Sequence, residues 1–302
     1  EQTLDGVEGI VADDASIDST PEVLADYAAR YDTIRTLRLD ENHGQAYARN
    51  QALKLAQGDF ICFLDADDWY DRDALRQAVD LFSRHVHTDC VLFDVVQWFD
   101  DHHQQRIPLP QFEVMSGYEA FSESLSWAIH GVYMARRALY DRYPYDDSCR
   151  AYSDDNTTRL HYYISREVRP CGGLYYYRQH EASVTHKAGL RHFDYLRANE
   201  SMRRQLIDLG VGDDVLRRYE NQRWLVLVDC WRFYFIHRQR MTPHDRRAAR
   251  AEMKRVWKTI DTTTLEPRNK WKLGYMPLRP SWRLFCLQEE LYFTLKRWLR
   301  RL

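Results

Sequence analysis

A short apolar run that ends in a cluster of carboxylates is the feature that most restricts how this chain can fold. Residues 60–64 (FICFL) are apolar throughout, and residues 65–68 (DADD) follow directly. A strand without polar alternation is typical of a sheet that is covered on both faces. We therefore expect Asp65 and Asp67 to lie beyond the carboxyl end of a buried strand, where ligands bind in open α/β sheets.

The segments around this run alternate between strand and helix patterns. Strands are predicted at residues 9–12, 33–39 and 60–64, and helices at residues 21–30 and 44–56. This alternation predicts an α/β fold with a mostly parallel sheet and helices on both faces. The first strand ends at Asp13 and Asp14, so a second acidic loop is expected at the same edge of the sheet.

The last third of the chain has a different pattern. Long amphipathic stretches without strand signals occupy residues 193–209, 215–237 and 243–260. We expect two domains, an α/β domain at residues 1–190 and a helical extension at residues 191–302. The extension is basic, because residues 241–302 hold 15 Lys and Arg against 6 Asp and Glu, whereas residues 1–240 hold 28 against 39.

Composition excludes several classes of protein. The six cysteines are scattered and form no CxxC pair, which argues against a zinc site or a disulfide framework. The most apolar stretch, residues 224–236, is interrupted by Asp229 and Arg232 and is too short to span a bilayer. The expected location is the cytoplasm, with peripheral contact at the inner face of the membrane as an alternative.

The DADD turn suggests metal chemistry. Asp65 and Asp67 could share a hard divalent cation, Mn or Mg, whose open positions take the oxygens of a diphosphate. The alternative is an acidic turn that caps the helix beginning near Asp71. Both readings are open for a DxDD motif considered alone.

Three motifs in order resemble glycosyltransferase family 2, the inverting enzymes with a GT-A fold. They are residues 11–20 (VADDASIDST), 42–50 (NHGQAYARN) and 58–69 (GDFICFLDADDW). The resemblance covers about residues 1–187 and implies metal-dependent sugar transfer from a nucleotide-sugar donor, with a UDP-sugar favoured. The family's first strand and the following helix have no counterpart, so the domain is expected to lack that strand, either as a fragment or by replacement.

The resemblance also implies roles for individual residues. Asp13 and Asp14 would contact the base or ribose of the donor, and Arg49 would help to hold the nucleotide. Asp65 and Asp67 would form the DxD pair, with Asp67 favoured as the direct metal ligand. The alternatives are a helix-capping turn for Asp13 and Asp14 and a surface arginine for Arg49.

The second half of the domain would supply the base. Residues 152–158 (YSDDNTT) resemble the family's acidic pair at a helix start, with Asp155 favoured as the base and Asp154 as the alternative base or a helix cap. Further along, Arg178 could neutralise the diphosphate and His180 could ligate the metal, although such a histidine is more often a surface residue. Trp127 lies in a stretch that resembles the acceptor side, and core packing is equally compatible with it.

These implications give one favoured function and two alternatives. We expect an inverting glycosyltransferase for surface polysaccharide or glycan assembly, acting on a glycan or a lipid-linked acceptor and not on nucleic acid. The alternatives are a nucleotidyltransferase and a non-catalytic remnant that binds glycan or a membrane partner. The final segment, residues 281–302, predicts a basic amphipathic helix that either lies on a membrane or packs against the protein.

Overall fold

The polypeptide divides into two units, Glu1–His186 and Lys187–Leu302. A computed structural model describes residues 2–179 and 189–299. The first unit contains all the described strands, and the second is helical.

The first unit begins with a small parallel sheet. Strand β1 (Gly9–Asp13) pairs along its whole length with β2 (Ile34–Arg38), and helix α1 (Thr20–Arg30) connects them. Helix α2 (Gln45–Leu53) follows. The predicted first two strands and first two helices are therefore confirmed, with boundaries shifted by one to three residues.

A larger sheet forms the centre of this unit. Its strands are β3 (Phe60–Ile61), β4 (Trp69–Tyr70), β5 (Thr88–Asp100), β6 (His103–Arg106), β7 (Met115–Ser116), β8 (Tyr133–Arg136) and β9 (Glu167–Arg178). The order is β3-β8-β5-β9-β4, with β6 added to β5 and β7 added to β9. Among the described strands of this sheet, only the β5–β9 pairing is parallel, and the others are antiparallel.

The sheet is thus mixed, and the prediction of mostly parallel strands is wrong. The strand-helix alternation that led to this prediction covers only β1, β2 and β3. Of these, β3 pairs with the antiparallel β8 and with no parallel neighbour among the described strands. The ladder of β3 also stops at Ile61, three residues before the end of the predicted strand.

Helices cover both faces of the larger sheet, as predicted. They are α3 (Ala74–Arg84), α4 (Gly117–Leu125), α5 (Arg137–Arg142) and α6 (Asp154–Ile164). Alternate residues of β5 enter different clusters: Leu92 belongs to the cluster that contains Tyr162 on one face, and Phe93 to the cluster that contains Phe82 on the other. The α/β architecture with a helical C-terminal region is confirmed.

The second unit is built around one long helix. It contains α7 (Asp194–Asp208), α8 (Asp213–His237), α9 (Pro243–Thr259), α10 (Pro267–Trp271) and α11 (Trp282–Trp298), which confirms the three predicted helices. Trp224 and Trp231 of α8 are fully buried and contact Phe285 of α11. No helix in the described part of the chain is long and apolar enough to cross a membrane.

One buried acid makes the stability of the second unit depend on pH. Glu289 of α11 is fully buried, and burial raises its pKa from 4.5 to about 9. The folded state therefore keeps a proton that the unfolded state loses above pH 4.5. The contribution of this protonated carboxyl to the free energy of unfolding is fully present below pH 4.5 and is lost as the pH rises toward about 9.

Glu289→Gln is expected to remove this loss, because the amide is neutral and keeps the oxygen that accepts from Gln288 Nε2. At about pH 8 the variant should be more stable than the wild type by on the order of 3 kcal/mol, and the difference should nearly vanish at about pH 5. Urea unfolding followed by tryptophan fluorescence at both pH values measures it. An equal difference between the proteins at both pH values would contradict the prediction.

Candidate active site

The first acidic loop is fastened to the N-terminus of α2. The Asp14 carboxylate accepts the backbone N–H of His43 at 2.8 Å and that of Gly44 at 2.7 Å, and Asn42 Nδ2 donates to the Asp14 carbonyl at 3.0 Å. Gly44 has φ +96°, a conformation that favours glycine. The loop after β1 and the start of α2 therefore hold one fixed geometry.

Asp13 lies at the end of β1 and is buried. Its Oδ1 accepts the backbone N–H of Ser16 at 2.8 Å, and its Oδ2 lies 3.5 Å from Arg38 Nη1. Ala15, which lies between Asp13 and Ser16 in this turn, has φ +60°, a backbone conformation that is strained for a residue with a Cβ. These contacts belong to the turn itself, and the predicted role of Asp13 and Asp14 in binding base or ribose stays a prediction.

Arg49 connects two of the predicted motifs. Its Nη2 donates to Asp65 Oδ1 at 2.8 Å, and its Nη1 lies 3.7 Å from Asp154 Oδ2. The guanidinium lies 4.0 Å from the ring centroid of Phe63. Burial lowers the pKa of Arg49, but the interactions of the guanidinium with Tyr145, Asp65 and Asp154 raise it by more, so the pKa of Arg49 is raised overall.

The DADD turn is anchored through its last aspartate. Asp68 is buried, accepts the Tyr175 hydroxyl at 2.5 Å and accepts the backbone N–H of Arg178 at 2.8 Å. Burial, with the negative charges of Asp67 and Asp65, raises the pKa of Asp68 above its ordinary value despite these two donors. The turn is thereby fixed to the end of β9, with Asp67 exposed and Asp65 partly exposed.

Arg178 lies beside this turn. Its guanidinium is 5.3 Å from the Trp69 ring centroid and 5.1 Å from that of Trp98. A cation is therefore held between two aromatic rings at the strand end that binds Asp68. His180, the predicted metal ligand, lies outside the described residues.

The predicted catalytic pair occupies the first turn of α6. Asp154 and Asp155 are the first two residues of the helix, where the helix dipole stabilises negative charge. The preceding Tyr152 has φ +66°. Behind the pair, Asn156 Nδ2 donates to Asp146 Oδ2 at 2.7 Å, which fixes the start of the helix to the preceding loop.

The described part of the chain offers few side chains for binding Mn or Mg. Within residues 2–179 and 189–299, no three His, Cys, Asp or Glu side chains form a group that could hold a metal ion. Mg is commonly held by one or two carboxylates together with substrate phosphates and water. Asp65 and Asp67, two hard oxygen donors on one anchored turn, fit that kind of site.

The contacts bring together most of the predicted residues. Arg49 joins Asp65 to Asp154, and α2, which carries Arg49, is itself held by Asp14. Sequence reasoning missed Gln45, whose Nε2 donates to Asp65 Oδ1 at 2.9 Å. Its position one turn before Arg49 on the same helix face was the available signal.

Two further residues take on positioning or surface roles. The resemblance implies no role for Asp68, and the structure shows that its side chain anchors the DADD turn. Trp127 is partly exposed and has φ +58°. The Arg159 guanidinium lies 4.8 Å from the centroid of its ring. The predicted place of Trp127 on the acceptor side stays a prediction.

This chain is similar to known glycosyltransferases. Residues 1–148 match the profile of glycosyl transferase family 2. The putative glycosyltransferase EpsH of Bacillus subtilis (strain 168) is 33% identical over 100 residues, which cover 33% of this chain and 28% of EpsH. The putative teichuronic acid biosynthesis glycosyltransferase TuaG of the same strain is 41% identical over 73 residues, which cover 24% of this chain and 29% of TuaG. These matches span less than a third of either relative.

Two longer similarities extend beyond the motifs. The succinoglycan biosynthesis protein ExoO of Rhizobium meliloti (strain 1021) is 28% identical over 251 residues, which cover 74% of this chain and 68% of ExoO. The crystal structure of S. aureus TarS 1–349 in complex with UDP-GlcNAc superimposes with a TM-score of 0.69 at 16% identity, covering 95% of this chain and 82% of that one. At this identity the structural likeness shows the fold alone.

Proposed function

Because this chain belongs to glycosyl transferase family 2 through residues 1–148, we propose that it transfers a sugar from a nucleotide-sugar donor to an acceptor hydroxyl with inversion at the anomeric carbon. The observation that carries the proposal is the position of Arg49 between Asp65 and Asp154. The DADD turn and Asp154 at the start of α6 therefore lie on either side of one cation. A single displacement needs a bound donor and, on the opposite side of its anomeric carbon, a base for the acceptor hydroxyl.

The proposed donor is a UDP-sugar. Support comes from TarS, which has the same fold and was solved with UDP-GlcNAc and with UDP. Asp65 and Asp67 would hold Mn or Mg, and Asp67 is the more exposed of the two. When bound, the ion would supply a positive charge that links the carboxylates to the donor diphosphate.

The residues of this chain would divide the reaction between them. Asp155 would accept the proton of the acceptor hydroxyl on one of its carboxylate oxygens. The acceptor oxygen would then bond to the anomeric carbon as the bond from that carbon to the diphosphate oxygen breaks, with its electron pair leaving on the nucleoside diphosphate. Arg178, beside the DADD turn, would meet the charge of the leaving group.

The proposed setting is the assembly of surface polysaccharide or another glycan. The names of TuaG and ExoO connect those relatives with teichuronic acid and succinoglycan biosynthesis. A glycan or a lipid-linked sugar is therefore the proposed acceptor class for this chain.

The proposal is tested by nucleoside diphosphate release from a panel of nucleotide sugars, with Mn added or removed by chelation. We expect release from one donor class, loss of release on chelation, and an at least roughly tenfold higher Mn requirement in Asp67→Asn. Asp101→Asn, an exposed aspartate in the turn after β5, is the matched control. Release of inorganic diphosphate would instead identify a nucleotidyltransferase, and absence of any turnover or donor binding would contradict the proposal.

A further inference from the structure

Helix α11 has apolar side chains on two opposite faces. Phe285, Cys286 and Phe293 are buried in the core of the second unit. The other face carries five large apolar side chains that are between 41% and 80% exposed: Leu284, Leu287, Leu291, Leu295 and Trp298. Packing of the helix against its unit needs only the first face, so the second row has no role in folding that the described contacts account for.

These five residues, here called the leucine stripe, form a continuous surface. They are spaced by three or four residues, which places them on one side of a helix. From Leu284 to Trp298 the stripe is about 21 Å long at the rise of an α-helix. A contiguous exposed apolar surface of this length marks an interaction site rather than scattered exposed leucines.

A second element adds apolar side chains next to α11. Trp271 and Leu273 are exposed, and they immediately precede Gly274. Gly274 has φ +80°, and a Cβ there would lie 2.2 Å from the Tyr292 ring of α11. The chain at Gly274 is therefore seated directly against the helix, and Leu273 and Trp271 lie one and three residues before this contact.

The charges around the stripe are almost all positive. Arg283, Lys296 and Arg297 flank it on α11, and Lys270 and Lys272 flank Trp271. The acids of α11 are not available to balance them, because Glu289 is buried and Glu290 is paired with Arg238. Arg300 and Arg301 follow in the sequence.

We propose that the leucine stripe, together with Trp271 and Leu273, binds the surface of an anionic lipid membrane. Leucines and tryptophan would enter the interfacial region while the flanking Lys and Arg side chains meet lipid phosphates. A second copy of the chain is a poorer occupant, since pairing two stripes brings the basic flanks of both copies together. The proposal is independent of the transfer reaction and would locate the protein where lipid-linked acceptors lie.

Flotation of the full chain with vesicles tests the proposal. We expect binding to vesicles that contain phosphatidylglycerol, weaker binding to phosphatidylcholine alone, and a decrease as salt is raised. Leu287→Ser and Leu291→Ser, each alone, should weaken binding roughly tenfold, and Arg297→Gln roughly fivefold. Ile207→Ser, an exposed position on α7, is the matched control.

Three outcomes would overturn the inference. Absence of flotation with anionic vesicles at low salt would remove it, and so would equal losses in Ile207→Ser and Leu287→Ser. Sedimentation that shows a dimer which Leu287→Ser converts to a monomer would assign the stripe to a second copy instead. Thermal melting and donor turnover in detergent-free solution should be the same in all variants, which separates a membrane defect from misfolding or failure of the proposed function.

Discussion

Asp155→Asn is expected to lower kcat by about 10²- to 10⁴-fold, because the amide cannot accept the proton of the acceptor hydroxyl. The substitution keeps size and shape at the first turn of α6, so donor binding should change little. A loss confined to kcat would show an interaction made only in the transition state. Steady-state kinetics with a saturating donor and a varied acceptor measure the effect.

Asp154→Asn separates the two members of the pair. Asp154 Oδ2 lies 3.7 Å from Arg49 Nη1, so its expected role is to position Arg49, and its loss should be smaller than that of Asp155. Asp147→Asn, in the exposed loop before α6, is the matched control and should retain wild-type activity. A larger loss in Asp154→Asn than in Asp155→Asn would reassign the base to Asp154.

The positions of the acidic residues in the candidate site could be predicted, from a local pattern for Asp65 and from the family resemblance for Asp154. Asp65 follows an apolar run, and Asp154 stands at a helix start. The contact between Arg49 and Asp154 could not be predicted, since it joins residues 105 positions apart and depends on how α2 and α6 pack. The bonds from Asp14 to His43 and Gly44 likewise depend on a loop conformation that requires φ +96° at Gly44.

The direction of the strands was harder to predict than their positions. A buried strand is apolar whether its neighbour is parallel or antiparallel, so residues 60–64 indicated burial without indicating the antiparallel partner β8. The connection rule applied only to the first three strands, whereas β5 and β6 form a hairpin through a two-residue turn. The sheet order therefore required the long-range pairings themselves.

Helix α11 shows the same limit at the level of a helix face. Its sequence is amphipathic and basic, but apolar residues point in two directions. Phe285 and Phe293 fill the core, while Leu287 and Leu291 do not. Periodicity alone cannot decide which row is buried, because that depends on the shape of the surface formed by α8 and α9.

Arg49→Met is expected to lower kcat/KM for the donor by roughly a hundredfold. The substitution removes the charged donor to Asp65 Oδ1 and the cation opposite Asp154, so two carboxylates would face each other with only the neutral Gln45 amide donating to Asp65. Because both acids are more than a third exposed, solvent screens part of this repulsion, and the expected loss of activity is smaller than for a fully buried pair. Measuring kcat and KM separately with the donor shows which step loses most.

Arg49→Lys distinguishes charge from geometry at the same position. Lysine keeps the positive charge, but it cannot reach two carboxylates with a planar fork or stack in the same way on Phe63, so activity between wild type and Arg49→Met is expected. Arg84→Met, at an exposed ion pair on α3, is the control and should be near wild type. If Arg49→Met melts like the wild type and keeps its activity, Arg49 does not organise the site. If Arg49→Met loses activity and Arg49→Lys retains part of it, the positive charge between the DADD turn and α6 is required for transfer.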